Sequence, residues 1–231
     1  MADAPAIVFD LDDTLYPYRA FLRSGFHAVA RKLAVERGVP ERTVRRLLRR
    51  APRTRRGREL QWLCSRLALP VSLVPELVTL VREHRPMVHL PVESLRLLVF
   101  LRPNWRIGVL TNGSPRVQRR KVDALGLAPL VDAVVFAAAC GSRRGKPDVA
   151  PFRTVLQRLG AAAPSTIFVG DDLDADMAGA ARIGMRTIHV LTHGHRSGCP
   201  GRWCDAHVRR LARVRPLAER FMGHRITTHA L

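Results

Sequence analysis

The sequence predicts a parallel α/β sheet carrying an all-helical insertion, and three observations point there. Short apolar runs at residues 7–9, 106–110 and 166–170 each end abruptly in carboxylates or in hydroxyl, amide and glycine groups. An almost continuous apolar run suits a strand covered on both faces. Strand and helix patterns alternate from about residue 91 to residue 191, whereas the roughly 70 residues before them read as helix without interruption. At 231 residues the chain can bury a full core. The expected organisation is an α/β core of residues 1–16 and 91–191, a helical module of 17–90 and a basic extension of 192–231.

The first strand delivers Asp10 and Asp12, separated by Leu11, so that in extended backbone both lean to one side. Such a pair can share labour, one carboxylate attacking or holding a metal while the other handles a proton. Taken alone, the pair is better explained as an Asp-rich turn, and the motifs downstream overturn that. Pro17 then opens a helix. Leu22, Phe26, Val29 and Leu33, then Leu60, Leu63, Cys64 and Leu67, then Leu73, Leu77, Leu80 and Val81 recur at helical spacing. Between them lies the densest basic run, from Arg42 to Arg58, which reads as a solvated face or as a device for steering anions.

The next helix puts Val92, Leu95, Leu98 and Val99 on its apolar side and stops at Arg102-Pro103-Asn104. A strand follows and ends in Thr111-Asn112-Gly113-Ser114-Pro115. A hydroxyl and successive backbone N–H groups there form an anion cradle, although a plain turn uses the same residues. After a helix to Leu125 and a strand at 133–136, a long loop presents Lys146, a compact ammonium suited to touching a phosphoryl oxygen and a carboxylate together. A helix with Val149, Phe152, Leu156 and Leu159 leads to TIFVGDDLDAD. Its Asp171, Asp172, Asp174 and Asp176 repel one another unless a cation sits among them, and oxygen-only ligands favour Mg2+. The small residues Ala178, Gly179, Ala180 and Ala181 then allow a helix to approach the sheet, and residues 186–191 form a further strand. In the tail, His193, His195, Cys199, Cys204 and His207 offer a zinc reading, but the Cys199 to Cys204 spacing is not a short knuckle, so a surface extension is expected.

Composition narrows the function classes. Lys+Arg 39 against Asp+Glu 19 gives a net charge of +20, which points to a polyanion. Only three basic residues are lysines, however, and aromatics for base stacking make up 6% of the chain. A codon bias toward arginine accounts for the charge, which leaves nucleic acid as an alternative partner and a small phosphorylated metabolite as the expected one. No apolar stretch reaches membrane-spanning length, and the first residues show no basic region leading into an apolar segment. The four scattered cysteines fit reduced thiols, so the expectation is a cytoplasmic protein.

In open α/β sheets ligands bind outside the carboxyl ends of the strands, so the four loaded loops are expected to meet on one edge. In order, Asp10-Leu11-Asp12, Thr111-Asn112, Lys146-Pro147 and Gly170 through Asp176 resemble the four motifs of the haloacid dehalogenase-like (HAD) hydrolase superfamily, in the branch whose helical cap is inserted just after the first motif. The likeness spans residues 7–191. It implies Asp10 as a nucleophile forming an aspartyl-phosphate, and Asp12 as the acid toward the leaving oxygen and then the base toward water. By the same likeness Thr111, with the amides of Asn112 and Gly113, holds the phosphoryl group and Lys146 balances its charge. Mg2+ is expected on Asp10, the Asp12 carbonyl and Asp171, with Asp176 in support and Asp172 or Asp174 as alternatives. Tyr16, Tyr18, Arg19 and Arg23 are candidates for contacting the leaving group. The resemblance further implies that dehalogenating members lack a carboxylate at the place of Asp12, which favours a Mg2+-dependent phosphatase of small phosphate monoesters. A phosphomutase and a nucleic-acid-associated protein are the alternatives.

Overall fold

The computed structural model describes residues 5–51, 57–141, 145–191 and 203–223. They form two compact units, one of residues 1–17 with 89–231 and one of residues 18–88.

The first unit begins with β1 (Ala6–Phe9), and the second unit interrupts it with α1 (Tyr18–Arg37), α2 (Glu41–Arg50), α3 (Glu59–Arg66) and α4 (Val74–Glu83). This second unit is all helix among its described residues, because its apolar side chains recur at helical spacing and meet in one cluster. Val29, Leu33, Val44, Leu48, Leu63, Cys64, Leu77 and Val81 are its buried centre, with Leu22, Phe26, Leu67 and Leu80 packed around them. Val44 and Leu48 turn α2 inward and leave Arg42, Arg46, Arg49 and Arg50 exposed, as a solvated face requires. His84 is buried, with its ring nitrogens 2.7 Å from the Val81 carbonyl and 2.9 Å from the Ser24 hydroxyl.

The first unit resumes with α5 (Val92–Leu101), β2 (Arg106–Thr111), α6 (Pro115–Ala124), β3 (Ala133–Phe136), α7 (Val149–Leu159), β4 (Thr166–Gly170), α8 (Ala178–Arg182), β5 (Arg186–Val190), β6 (Ala206–Val208) and α9 (Val214–Phe221). The strands form one parallel sheet in the order β3-β2-β1-β4-β5-β6. The central strand β1 is buried along its whole length, which explains its unbroken apolar sequence. On one face Val8, Leu110 and Phe168 pack against Phe152, Val155 and Leu159 of α7. Phe9 pairs with both Val109 and Val169, so Asp10 stands level with Leu110 and Gly170. The chain builds to one side of β1 first and then crosses to the other, so β1 and β4 flank the point where the strand order reverses. That is where such sheets bind ligands.

Two elements of secondary structure depart from the sequence expectation. Helix α5 buries Ser94, Leu97, Leu98 and Leu101, leaving Val92, Leu95 and Val99 exposed. In VESLRLLVFL seven of the ten positions are apolar, so periodicity alone could not fix the face, and the buried stripe lies on another side of the helix. The tail also contributes a strand to the sheet, β6, rather than only a surface extension.

Both margins of the sheet carry the same device. Asp132, just before β3, accepts from the Ile107 N–H of β2 at 2.7 Å and pairs with Arg102. Asp205, just before β6, accepts from the Thr187 N–H of β5 at 2.8 Å and pairs with Arg186 at 2.9 Å. Cys64 and Cys140 are free thiols, but Cys204 is disulfide-bonded, which removes it as a zinc ligand and departs from four reduced thiols. His193, His195 and Cys199 lie outside the described residues. No helix among the described residues is long and apolar enough to cross a membrane.

Candidate active site

Asp10 leaves β1 with its N–H donated to the Val169 carbonyl of β4 at 2.9 Å, so the sheet ladder fixes the residue's backbone. Beyond it the chain turns sharply. Asp13 adopts a left-handed conformation with φ 59°, tolerable for Asp, and its N–H donates to the Tyr16 carbonyl at 2.9 Å. This turn brings the Tyr16 hydroxyl to Asp12, where it donates to Oδ1 at 2.6 Å.

Lys146 arrives from the loop before α7. Gly145 has φ +71°, and a Cβ there would fall 2.4 Å from the Asn112 side-chain oxygen. That oxygen accepts from the Lys146 N–H at 2.8 Å while the Asn112 amide donates back to the Lys146 carbonyl at 3.1 Å. Thus Asn112, expected to touch phosphate, uses its side chain to seat Lys146. The Lys146 ammonium is buried, 2.5 Å from Asp10 Oδ1 and 2.6 Å from Asp176 Oδ1. Burial alone would pull it down, but Asp10 and Asp176 raise its pKa above that of an ordinary lysine.

Strand β4 ends at Gly170 against the Asp176 carboxylate, and a Cβ on Gly170 would fall 2.2 Å from Asp176 Oδ2, so only glycine fits. The turn over Leu173–Met177 is capped by Asp172, whose Oδ1 accepts from the N–H groups of Asp174 and Ala175 at 2.9 and 2.8 Å. Asp174 is exposed, whereas Asp176 is buried. Carboxylate oxygens of Asp10, Asp171 and Asp176 lie within 4.8 Å of one another. Burial, with Asp176 and Asp12 adding and Lys146 opposing, pushes the Asp10 carboxyl up to about 8. Burial and the neighbouring Asp176, Asp13 and Asp172 push Asp171 up to about 7. Asp176 Oδ1 is buried and faces the Lys146 ammonium without the alignment of a hydrogen bond. Three convergent carboxylates, two of them pushed up by burial and by one another, are a donor set that a divalent cation fits.

Asp12 is surrounded by donors. Lys121 of α6 reaches Oδ1 at 2.9 Å and Oδ2 at 2.7 Å, and Gln118 of the same helix reaches Oδ2 at 3.0 Å. Gln118 also donates to the Thr111 hydroxyl at 2.5 Å. A buried carboxylate beside a lysine, a second carboxylate, a threonine hydroxyl and a cluster of three carboxylates now stand on one sheet edge. The family model for haloacid dehalogenase-like hydrolases matches residues 4–184. The chain belongs to the haloacid dehalogenase-like hydrolases.

Among curated proteins this HAD-like hydrolase is 30% identical over 205 residues to a ribulose-1,5-bisphosphate 5-phosphatase of Halopiger xanaduensis, a match covering 80% of this chain and 84% of the relative. It is 36% identical over 86 residues to a glyceraldehyde 3-phosphate phosphatase of Methanocaldococcus jannaschii, 37% of each chain. Among solved structures, a 2-haloacid dehalogenase of Pseudomonas syringae superposes with a TM-score of 0.65 at 26% identity, over 94% of this chain and 99% of that one.

In this hydrolase the fold gathers Asp10, Asp12, Thr111, Lys146, Asp171 and Asp176, as the sequence expected of one edge. Gly113 lies in the same loop, with φ +111°. Tyr16 does not fit the expected contact with a leaving group, since it is only 2% exposed and its hydroxyl is given to Asp12. Arg19 and Arg23 are exposed on α1 of the helical unit, and Tyr18 stacks on Phe21 with ring centroids 5.9 Å apart. Gln118, Lys121 and His189 were not expected. His189 Nε2 lies 2.9 Å from the Asp171 carbonyl, a contact that only a protonated Nε2 can make. Lys121 carried a signal: it is one of three lysines in a chain that otherwise uses arginine.

Proposed function

We propose that the chain is a Mg2+-dependent phosphatase of small phosphate monoesters that works through an aspartyl-phosphate, with residues 18–88 as its cap. The observation that carries this reading is the presence of a second carboxylate, Asp12, held on the same edge as Asp10 and tied through Gln118 to Thr111. An Asp10 oxygen attacks phosphorus and the bond to the leaving oxygen breaks. That oxygen takes its proton from the Asp12 carboxyl. Asp12, then ionised, takes a proton from a water whose oxygen attacks the same phosphorus. The bond to Asp10 breaks and inorganic phosphate leaves. The donors around Asp12 match its ionised form, that of the second half. Lys146 and the Thr111 hydroxyl hold the phosphoryl oxygens. Mg2+ on Asp10, Asp171 and Asp176, when bound, supplies charge neutralisation for a carboxylate meeting a phosphate dianion. The relatives' substrates support a sugar-type or similarly small ester.

A panel of monoesters tests the reading: glyceraldehyde 3-phosphate, ribulose 1,5-bisphosphate, phosphoserine, nucleoside monophosphates and p-nitrophenyl phosphate, each with Mg2+ and with EDTA. Hydrolysis of at least one ester that EDTA stops is expected. Hydrolysis unaffected by EDTA rules out the metal, and silence across the panel rules out the phosphatase.

The raised carboxyls give a second check. Asp10 and Asp171 are raised from 3.8 to about 8 and about 7, so the metal-free folded chain binds more protons than the unfolded chain across that window. Its stability is therefore fullest below the unfolded value and falls as pH rises toward the folded ones. Mg2+ displaces those protons, so its thermal stabilisation is expected to grow from about pH 6 to about pH 8.5, with about one to two protons released per ion near pH 6.5. Calorimetry in two buffers of different ionisation enthalpy measures the protons. Binding without proton release would place the ion elsewhere.

A further inference from the structure

Helix α6 brings two side chains to the site that the reaction scheme leaves without a task. Gln118 and Lys121 are three residues apart, so they share a helix face, and each is 2% exposed, while Arg116 and Arg119 of the same helix face solvent. Ser114 and Pro115 start this helix directly after the Thr111 loop, which fixes its first turns beside Asp12. A buried ammonium is costly unless paired. Lys121 is paired with both oxygens of Asp12.

We propose that Gln118 and Lys121 are positioning residues that lock the Asp12 carboxyl and the Thr111 hydroxyl into one array. This rests on the reading of Asp12 as the acid and base of the reaction. A carboxylate turns readily about its last side-chain bond, and a single partner leaves that rotation open. Here Lys121 spans both oxygens while Tyr16 takes Oδ1 and Gln118 takes Oδ2, so the plane of the group is fixed. The Gln118 amide does a second thing. A hydroxyl has one hydrogen and two acceptor sites, and the 2.5 Å contact from Gln118 fills an acceptor site of Thr111. The Thr111 hydrogen is left with a long contact of 3.4 Å to the Asn112 carbonyl, one that a phosphoryl oxygen outcompetes. One side chain thereby makes Thr111 a donor toward the anion and ties it to the acid that acts on the same anion.

The test uses leaving groups. Proton donation matters for a basic leaving oxygen and little for an activated one, and kcat/KM reports the step that breaks that bond. Phenyl phosphate and p-nitrophenyl phosphate are nearly the same shape and differ in this respect. Lys121→Met is expected to lower the ratio of their kcat/KM values, phenyl over nitrophenyl, by about tenfold or more, with Lys121→Arg recovering part of it and the Mg2+ affinity unchanged. Gln118→Met is expected to lower the ratio about threefold and to weaken inhibition by inorganic phosphate. Asp12→Asn, followed in a single turnover, separates the two readings. If Asp12→Asn shows no leaving-group bias, the acid assignment fails. If it shows the bias while Lys121→Met loses both activities equally or loses neither, the positioning role alone is overturned. Should Lys121→Met not fold by circular dichroism, the Gln118→Met ratio decides in the same way.

Discussion

Asp10→Asn is expected to abolish turnover, lowering kcat by about 10^4-fold or more, while the protein stays folded. An amide cannot form the acyl phosphate. Asp176 holds Lys146, and Asp12 faces the donors of α6. The fold readout has a sign of its own. Asp10 is buried and pushed up to about 8, so its ionised form is a burden on the metal-free protein above that pH. The neutral amide removes that burden and leaves Lys146 its second partner, so at about pH 8.5 without metal the melting temperature is expected to hold or to rise by a few degrees. A steady-state assay with a thermal melt checks both halves. Normal turnover by this variant would falsify the nucleophile assignment.

Lys146→Met is expected to be the most destabilising single change in the site. The ammonium is sandwiched between Asp10 and Asp176, and its removal leaves two buried carboxylates facing each other. Breaking a buried pair from one side costs about 3–5 kcal/mol, which for a chain of this length lowers the melting temperature by about 6–20 °C. The loss should grow with pH, since at low pH the Asp10 carboxyl can take up a proton instead. Millimolar Mg2+ should restore part of the stability by supplying positive charge to the same oxygens, and kcat should stay down by about 10^3-fold, because the proposed contact with the phosphoryl oxygen is removed. A denaturation series at two pH values, with and without Mg2+, measures this. A loss independent of pH and metal would mean that Lys146 acts by packing alone.

Much of this architecture was legible because strands that are buried on both faces must be apolar, so carboxylates at their ends stand out. Asp10 and Asp171 announce themselves by following Phe9 and Gly170, and the chain places them where the sheet reverses its order. Asp176 is legible only through its crowd, and structure separates it from Asp172, which caps the turn, and from Asp174, which faces water. Helical residues are harder to read. PRVQRRKVDA looks like a solvated basic stretch, and nothing in its periodicity says that Gln118 and Lys121 point inward while Arg116 and Arg119 point out. The preference for arginine elsewhere singled out Lys146, and it singles out Lys121 by the same logic. Helix α5 failed for the opposite reason, since with apolar residues on nearly all sides its sequence does not choose a face. Tyr16 was recognised as belonging to the site, but its hydroxyl serves Asp12 because the tight turn at Asp13 folds the chain back on itself.

The paired aspartates at the two margins of the sheet bear on solubility. An open sheet ends in strands whose outer N–H and C=O groups can template another chain. Here the outermost strands are four and three residues long, and each is entered through an acid bound to its inner neighbour and to an arginine. The strands offered to an incoming chain are thus too short and too charged at their start to seed stacking. Stripping away β6 would present the five residues of β5, four of them ordinarily buried, as the new outer rail. The short tail strand thus covers the edge of β5, whose residues would otherwise be open to pairing.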